Sequence, residues 1–118
     1  MGKLYTIDEI REKVKPVAER YGIEKVLLFG SYARGEADEN SDIDVIVVGG
    51  DGFHGSDVFA FGEDLRELTQ KDVDAFEIRE VNPDSELYNN VMREGLIIID
   101  SYSGYNQKSA VRRGILAC

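Results

Sequence analysis

The chain has 118 residues, a length that suits a single domain with its own hydrophobic core rather than two domains of similar size. Its 14 Lys and Arg residues are outnumbered by 23 Asp and Glu residues, which gives a formal net charge of −9 at pH 7. This charge argues against direct nucleic-acid binding, which needs a basic surface, and apolar runs of at most four residues argue against a membrane-spanning helix.

The first half of the chain predicts two helices and two strands. Thr6 and Glu9 fit a capping box, and apolar residues follow them at helical spacing. Pro16 lies inside this helix and is expected to kink or divide it. The predicted elements are a helix from residue 7 to about 21, a strand over 25–29, a short helix over 31–35 and a strand over 43–48.

The second half predicts a second helix–strand alternation after a glycine-rich loop over residues 49–55. We expect a helix over 57–69, a strand over 72–78, a helix capped by Asn82 and a closing strand over 96–99. Together these elements predict an α/β (α+β) fold, a small mixed β-sheet with helices packed against it. Residues 101–118 lack apolar periodicity, so we expect one domain over residues 1–100 and a flexible C-terminal extension over 101–118.

Two short motifs adjoin the first two predicted strands. Gly30 and Ser31 follow an apolar run, and Asp42 and Asp44 stand at the start of the next strand, where they share one face. Neighbouring carboxylates repel each other unless a cation lies between them, and Mg²⁺ is typically held by carboxylates together with nucleotide phosphates. A Gly-Ser turn after a strand lets backbone N–H groups approach such phosphates. The sequence therefore predicts a site for a nucleotide and a metal ion.

The two motifs form a pattern of Gly-Ser, ten intervening residues and Asp-x-Asp. This pattern resembles the minimal nucleotidyltransferases of the DNA polymerase β superfamily, and the resemblance extends from about residue 7 to residue 99. It implies the polymerase β-like nucleotidyltransferase fold for this domain. It also implies that Asp42 and Asp44 are catalytic residues that bind Mg²⁺.

The resemblance implies a third carboxylate as well, in a Val-Asp pair on the strand that follows the covering helix. Asp74 ends such a pair here, so we expect it to act with Asp42 and Asp44 as a catalytic residue and metal ligand, in a site for two Mg²⁺ ions. Asp72 and Glu77 lie close in sequence and remain alternatives for this third ligand.

The same resemblance implies that ATP is the substrate. The expected nucleotide-binding residues are Gly30, Ser31, Arg34, Asp42 and Asp44. Two of these have further interpretations: Ser31 could cap the short helix, with or without binding a phosphate, and Arg34 could instead face solvent.

An activity and a partner also follow from the resemblance. Minimal nucleotidyltransferases are commonly antitoxins that transfer AMP from ATP to a tyrosine of a HEPN-type ribonuclease toxin. We therefore expect a protein adenylyltransferase that forms a hetero-oligomer with such a toxin, in the cytoplasm, which the single Cys118 also fits. Two alternatives stay open: a non-catalytic nucleotide-binding subunit that neutralises its partner by docking, and a small-molecule nucleotidyltransferase of the aminoglycoside type.

Overall fold

The computed structural model describes residues 3–101, which form a mixed four-stranded sheet packed against helices. In chain order the elements are α1 (Ile7–Arg20), β1 (Ile23–Phe29), α2 (Ser31–Arg34), β2 (Ile43–Gly49), α3 (Gly55–Thr69), β3 (Val73–Glu77), a 3₁₀ turn (Ile78–Glu80), α4 (Glu86–Glu94) and β4 (Leu96–Asp100). The strand order is β3-β2-β1-β4, with β1 antiparallel to both neighbours and β3 parallel to β2. The predicted mixed sheet with helices is confirmed.

Helix α1 begins at the predicted capping box and is continuous. Thr6 Oγ1 accepts a hydrogen bond from the Glu9 N–H at 3.0 Å, and Glu9 Oε1 accepts one from the Thr6 N–H at 2.8 Å. The expectation that Pro16 divides the helix is wrong. Pro16 is exposed, while Val14 and Val17 on either side of it are buried, so packing holds both halves of the helix in place.

The sheet has an apolar core on each face, because alternate residues of every strand point to opposite sides. Helices α1 and α3 belong to the larger core, with Val26, Leu28, Val45, Val47 and Phe61 among its buried residues. Helix α4 belongs to the smaller core, which contains Leu27, Phe29, Ile46, Val91 and Ile97. Asp44 shares the strand parity of Ile46, so it lies on the same face as α4.

Helix α4 begins later than predicted. Asn82 accepts a hydrogen bond from the Asp84 N–H at 2.9 Å through Oδ1 and so forms a turn instead of a cap. Ser85 is the N-cap, and its Oγ accepts from the Tyr88 N–H at 3.1 Å. Asn82 and Pro83 satisfy the sequence rules for a helix start, but the side chain of Asn82 bonds within its own loop.

Two other features bear on the sequence predictions. Within residues 3–101, no helix has both the length and the apolar character needed to cross a membrane. Ser101 is held to β1, since its N–H donates to the Glu24 carbonyl at 2.9 Å. The rest of the predicted C-terminal extension, residues 102–118, lies outside the described part of the chain.

Candidate active site

The Gly-Ser turn and two of the predicted acids meet at one end of three neighbouring strands. Phe29, the last residue of β1, is the register partner of Asp44 in β2, and Asp44 is in turn the register partner of Asp74 in β3. Adjacent strands lie about 4.8 Å apart, so the turn after β1 and the carboxylates of β2 and β3 form a row across the sheet. The structure thus brings together the turn, Asp44 and Asp74, whose roles as ligands and catalytic residues stay predictions.

The carboxylates near Asp44 make its negative charge unfavourable when no cation is bound. Asp44 is half-buried, and burial followed by the charge of Asp74 and a hydrogen bond with it raises the pKa of Asp44 from 3.8 to about 6. The charge of Asp42 raises it further, whereas the charge of Arg34 lowers it. Asp44 therefore lies close enough to both Asp74 and Asp42 for their charges to disfavour its ionised form.

Gly30 brings the backbone of the turn against the carboxylate of Asp44. Its φ is +75° and its ψ is −153°, a combination that is essentially limited to glycine. A Cβ atom at this position would collide with Oδ2 of Asp44. Gly30 is thus required both by its backbone conformation and by the acid beside it.

Ser31 is the first residue of α2, and Gly30 occupies the N-cap position without a side-chain cap. The alternative in which Ser31 caps the helix is therefore wrong. Ser31 is only partly buried and follows Gly30, which lies against Asp44.

Arg34 lies near the acids but bonds to other carboxylates. Its Nε donates to Glu36 Oε1 at 2.9 Å, and its guanidinium also donates to Glu94 Oε1 at 3.3 Å. The hydrogen bond to Glu36, then the one to Glu94, raises the pKa of Arg34 above its usual value. These bonds engage Nε and one terminal nitrogen, so a phosphate can be contacted through the remaining guanidinium N–H groups of Arg34 or in exchange for one of these partners.

The alternatives for the third acid fit less well than Asp74. Glu77 is only 3 % exposed, and its carboxylate accepts hydrogen bonds from the Nε and the backbone N–H of Arg79, both at 3.0 Å. Asp72 precedes β3 and lines, together with Asp42, a polar cavity of about 630 Å³ beside the end of α3. Neither of them is in register with Asp44.

The donor set fits a hard divalent cation, because carboxylate oxygens are the ligands that Mg²⁺ prefers. Within residues 3–101, however, no three His, Cys, Asp or Glu side chains are already gathered around one point as a complete metal site. Mg²⁺ usually completes its shell with waters and substrate phosphates, so the protein itself need not supply every ligand. Asp42, Asp44 and Asp74 are the residues that would hold it.

This geometry agrees with the outcome of a family comparison. The family model described as polymerase beta, nucleotidyltransferase matches residues 12–103, a segment that contains the Gly-Ser turn and all three acids. The chain belongs to this family. It is therefore a nucleotidyltransferase domain, as its motif predicted.

Three individual proteins are similar to this chain in sequence or in fold. A candidate protein adenylyltransferase of Methanocaldococcus jannaschii is 36% identical over 77 residues, which cover 65% of this chain and 83% of that protein. A solved structure described as a candidate minimal nucleotidyltransferase is 33% identical, with a TM-score of 0.66 over 80% of this chain and 98% of that one. An MNT antitoxin from Shewanella oneidensis, solved in complex with a tri-AMPylated HEPN toxin, shares the fold at 19% identity, with a TM-score of 0.63 over 95% and 97% of the two chains.

Sequence reasoning missed the surroundings of the acids. Lys71 is 6 % exposed, and its Nζ donates to the Glu39 carbonyl at 3.0 Å, which fastens the loop that leads to Asp42. Two exposed phenylalanines, Phe59 and Phe76, lie near Asp74 at the edge of the sheet. The position of Phe76 was predictable from the sequence, because Phe76 and Asp74 are two residues apart in one strand and so lie on the same face.

Proposed function

We propose that this chain is a Mg²⁺-dependent protein adenylyltransferase that moves AMP from ATP to a tyrosine of a HEPN-type toxin, and so acts as its antitoxin. The observation that carries the proposal is the register of Asp44 with Asp74 beside the turn at Gly30. Nucleotidyl transfer needs triphosphate binding and an activated acceptor hydroxyl within a few Å of each other. This row of residues offers groups for both.

The turn is suited to the triphosphate. Ser31 can donate its hydroxyl and backbone N–H to phosphate oxygens, and Gly30 lets these oxygens come close to the main chain. Arg34 would add a guanidinium contact, either through its remaining N–H groups or in exchange for Glu36 or Glu94. These contacts would orient the α-phosphorus toward the carboxylates.

The carboxylates are suited to the chemical step. The acceptor oxygen forms a bond to the α-phosphorus while the bond to pyrophosphate breaks, and Asp74 accepts the hydroxyl proton. Asp42 and Asp44 would hold one Mg²⁺. Asp74 would hold a second Mg²⁺ together with Asp44. Two such ions, when bound, stabilise the attacking and leaving oxygens. Asp44 must then be ionised, which a bound cation favours against the burial and the charge of Asp74 that raise its pKa.

A protein acceptor is supported by charge and by the relatives. A net charge of −9 disfavours a nucleic-acid acceptor. The Methanocaldococcus relative is named for protein adenylylation, and the Shewanella antitoxin of the same fold is bound to a HEPN toxin that carries AMP. A cytoplasmic location goes with such a toxin–antitoxin pair.

The experiment follows the label from ATP to the protein. The chain is incubated with Mg²⁺ and a HEPN-family protein of the same organism, using ATP labelled at either the α- or the γ-phosphate. We expect the label to enter the HEPN protein only from the α-position, and addition of EDTA to prevent it. Tight complex formation without transfer of label would support docking alone and contradict the proposal.

A further inference from the structure

Lys71 is a buried cation beside the candidate active site. It lies in the connection between α3 and β3, is 6 % exposed, and lines the same polar cavity as Asp42. Among the described residues, 3–101, no carboxylate forms an ion pair with Lys71, and its Nζ donates to the main-chain carbonyl of Glu39 at 3.0 Å. Burial of an ammonium group without an ion pair costs free energy, so stability alone does not account for this lysine.

The backbone that carries Lys71 is fixed by its neighbours. Gln70 ends α3 with a φ of +58°, and in the described part of the chain no other residue except glycine has a positive φ. The Gln70 N–H donates to the Arg66 carbonyl at 2.8 Å. The Lys71 N–H donates to Oγ1 of the buried Thr69 at 3.3 Å. A conformation such as that of Gln70 persists only where the surrounding contacts determine it, so the Lys71 side chain has a firm support.

Two hydrogen bonds join this connection to the loop that carries Asp42. Besides the bond from Lys71 to Glu39, the Ile43 N–H donates to the Asp72 carbonyl at 3.0 Å. Asp42 thus lies between two residues that are each bonded to the segment over residues 71–72. The bond from Ile43 joins main-chain groups, whereas the bond to Glu39 depends on a side chain and can be removed by substitution.

We propose that Lys71 is a positioning residue for metal binding, because its ammonium group holds the loop over residues 38–42 and so places Asp42 beside Asp44. This inference rests on the proposed function, in which these two acids bind Mg²⁺. Replacement of a residue that orients a metal ligand without touching the metal typically lowers metal affinity by about 10- to 100-fold. Lys71 has this relation to Asp42.

The charge of Lys71 acts in the opposite direction. A cation close to a metal site repels the metal ion, so removal of the charge alone should strengthen metal binding. Loss of the bond to Glu39 should instead let Asp42 move away and weaken metal binding. The sign of the change in metal affinity therefore distinguishes positioning from a simple effect of charge.

The binding test uses Mn²⁺ as a probe for the Mg²⁺ site and measures the free ion by electron paramagnetic resonance. Lys71→Met keeps the apolar stem without the ammonium group and should weaken Mn²⁺ binding about tenfold. Lys71→Arg keeps the charge and hydrogen-bond donors and should recover part of this loss. Lys15→Met is the matched control, because Lys15 is exposed on α1 and its loss changes the net charge equally. It should leave the affinity within about twofold.

Hydrogen exchange in the metal-free protein tests the loop itself. The Ser41 N–H, which donates to the Asp38 carbonyl at 3.1 Å, should exchange about fivefold faster in Lys71→Met than in the parent. The N–H groups of α1 should keep their parent rates. Faster exchange throughout the protein would overturn the proposal, because Lys71 would then serve the stability of the whole fold.

The two measurements also separate this inference from the proposed function. Mn²⁺ binding by Lys71→Met that equals or exceeds that of the parent, with AMP transfer intact, would overturn the role of Lys71 and leave the function standing. Weaker Mn²⁺ binding and faster loop exchange in Lys71→Met, together with a parent chain that transfers no AMP, would support the positioning role and overturn the function.

Discussion

Gly30 and Asp44 are in such close contact that any side chain at position 30 would strike the Asp44 carboxylate. This contact couples the turn that is suited to phosphates to the acid that is central to the site. It also makes Gly30 the residue at which backbone conformation and chemistry can be tested together.

Gly30→Ala should therefore lower both stability and activity. The left-handed φ and the collision with Asp44 should reduce the free energy of unfolding by roughly 1–3 kcal/mol, and displacement of the carboxylate should reduce AMP transfer at least a hundredfold. Gly22→Ala is the control, because Gly22 also has a positive φ, +66°, but nothing within 4 Å of a Cβ. The free energy of unfolding of Gly22→Ala should fall by about 1 kcal/mol without loss of AMP transfer. Equal losses of transfer in both variants would refute the assignment of Gly30 to the active site.

The raised pKa of Asp44 predicts a pH-dependent stability. In the metal-free protein the folded state binds the Asp44 proton more tightly than the unfolded state, so this group lowers stability as the pH rises from about 4 through about 6. Asp44→Asn removes the charge and should be more stable than the parent at pH 8, by about 1 kcal/mol after screening by solvent.

Urea denaturation in EDTA at pH 8 and at pH 4 measures this difference. The stability gain of Asp44→Asn should be much smaller at pH 4, because this pH lies well below the folded-state pKa of about 6 and close to the unfolded-state value of 3.8. A gain of the same size at both pH values would mean that repulsion among the acids is not its cause.

Asp74→Asn should separate chemistry from nucleotide binding. Loss of the group that accepts the acceptor proton should lower kcat by two or more orders of magnitude while the affinity for Mg·ATP stays within a few fold. Asp72→Asn is the matched control on the same strand edge and should have little effect on kcat. If the Asp72 change abolishes transfer and the Asp74 change does not, the third acid has been assigned to the wrong residue.

Variants of Arg34 and Glu94 should change the affinity for ATP in opposite directions. Arg34→Ala should weaken ATP binding about tenfold, because one charge-assisted contact to phosphate is lost. Glu94→Gln should strengthen it two- to threefold, because the guanidinium then has one fewer competing carboxylate. Calorimetry with Mg·ATP measures both variants, and weaker binding in Glu94→Gln would show that the ion pair supports the site instead of competing with it.

The core of the site was predictable because it depends on local rules. Strand alternation places Asp42 and Asp44 on one face, and the Gly-Ser turn follows directly from the end of an apolar strand. The third acid was harder to predict, since Asp74 and the apolar Phe76 share one strand parity, which leaves the buried face of β3 ambiguous in the sequence. The structure resolves it, because β3 is an edge strand and Phe76 stays partly exposed on the side of Asp74.

Other features depend on contacts between distant parts of the chain. The pair of Arg34 with Glu94 joins residues 60 positions apart, and nothing in either local sequence indicates it. The close packing of α3 on β3 through Gly62 and Ala75 likewise becomes visible only in the fold. Asn82 has the side chain of a helix N-cap, but this side chain accepts a hydrogen bond within a turn. Helix α4 therefore has its N-cap three residues later, at Ser85.

Mass spectrometry of the HEPN-family protein after incubation with the chain, ATP and Mg²⁺ tests the central claim most directly. The account predicts that peptide mapping will locate one or more added AMP groups on tyrosine, and that the double variant Asp42→Asn with Asp44→Asn will add none while still folding. Unmodified partner protein with the parent chain, or equal modification with the double variant, would contradict it.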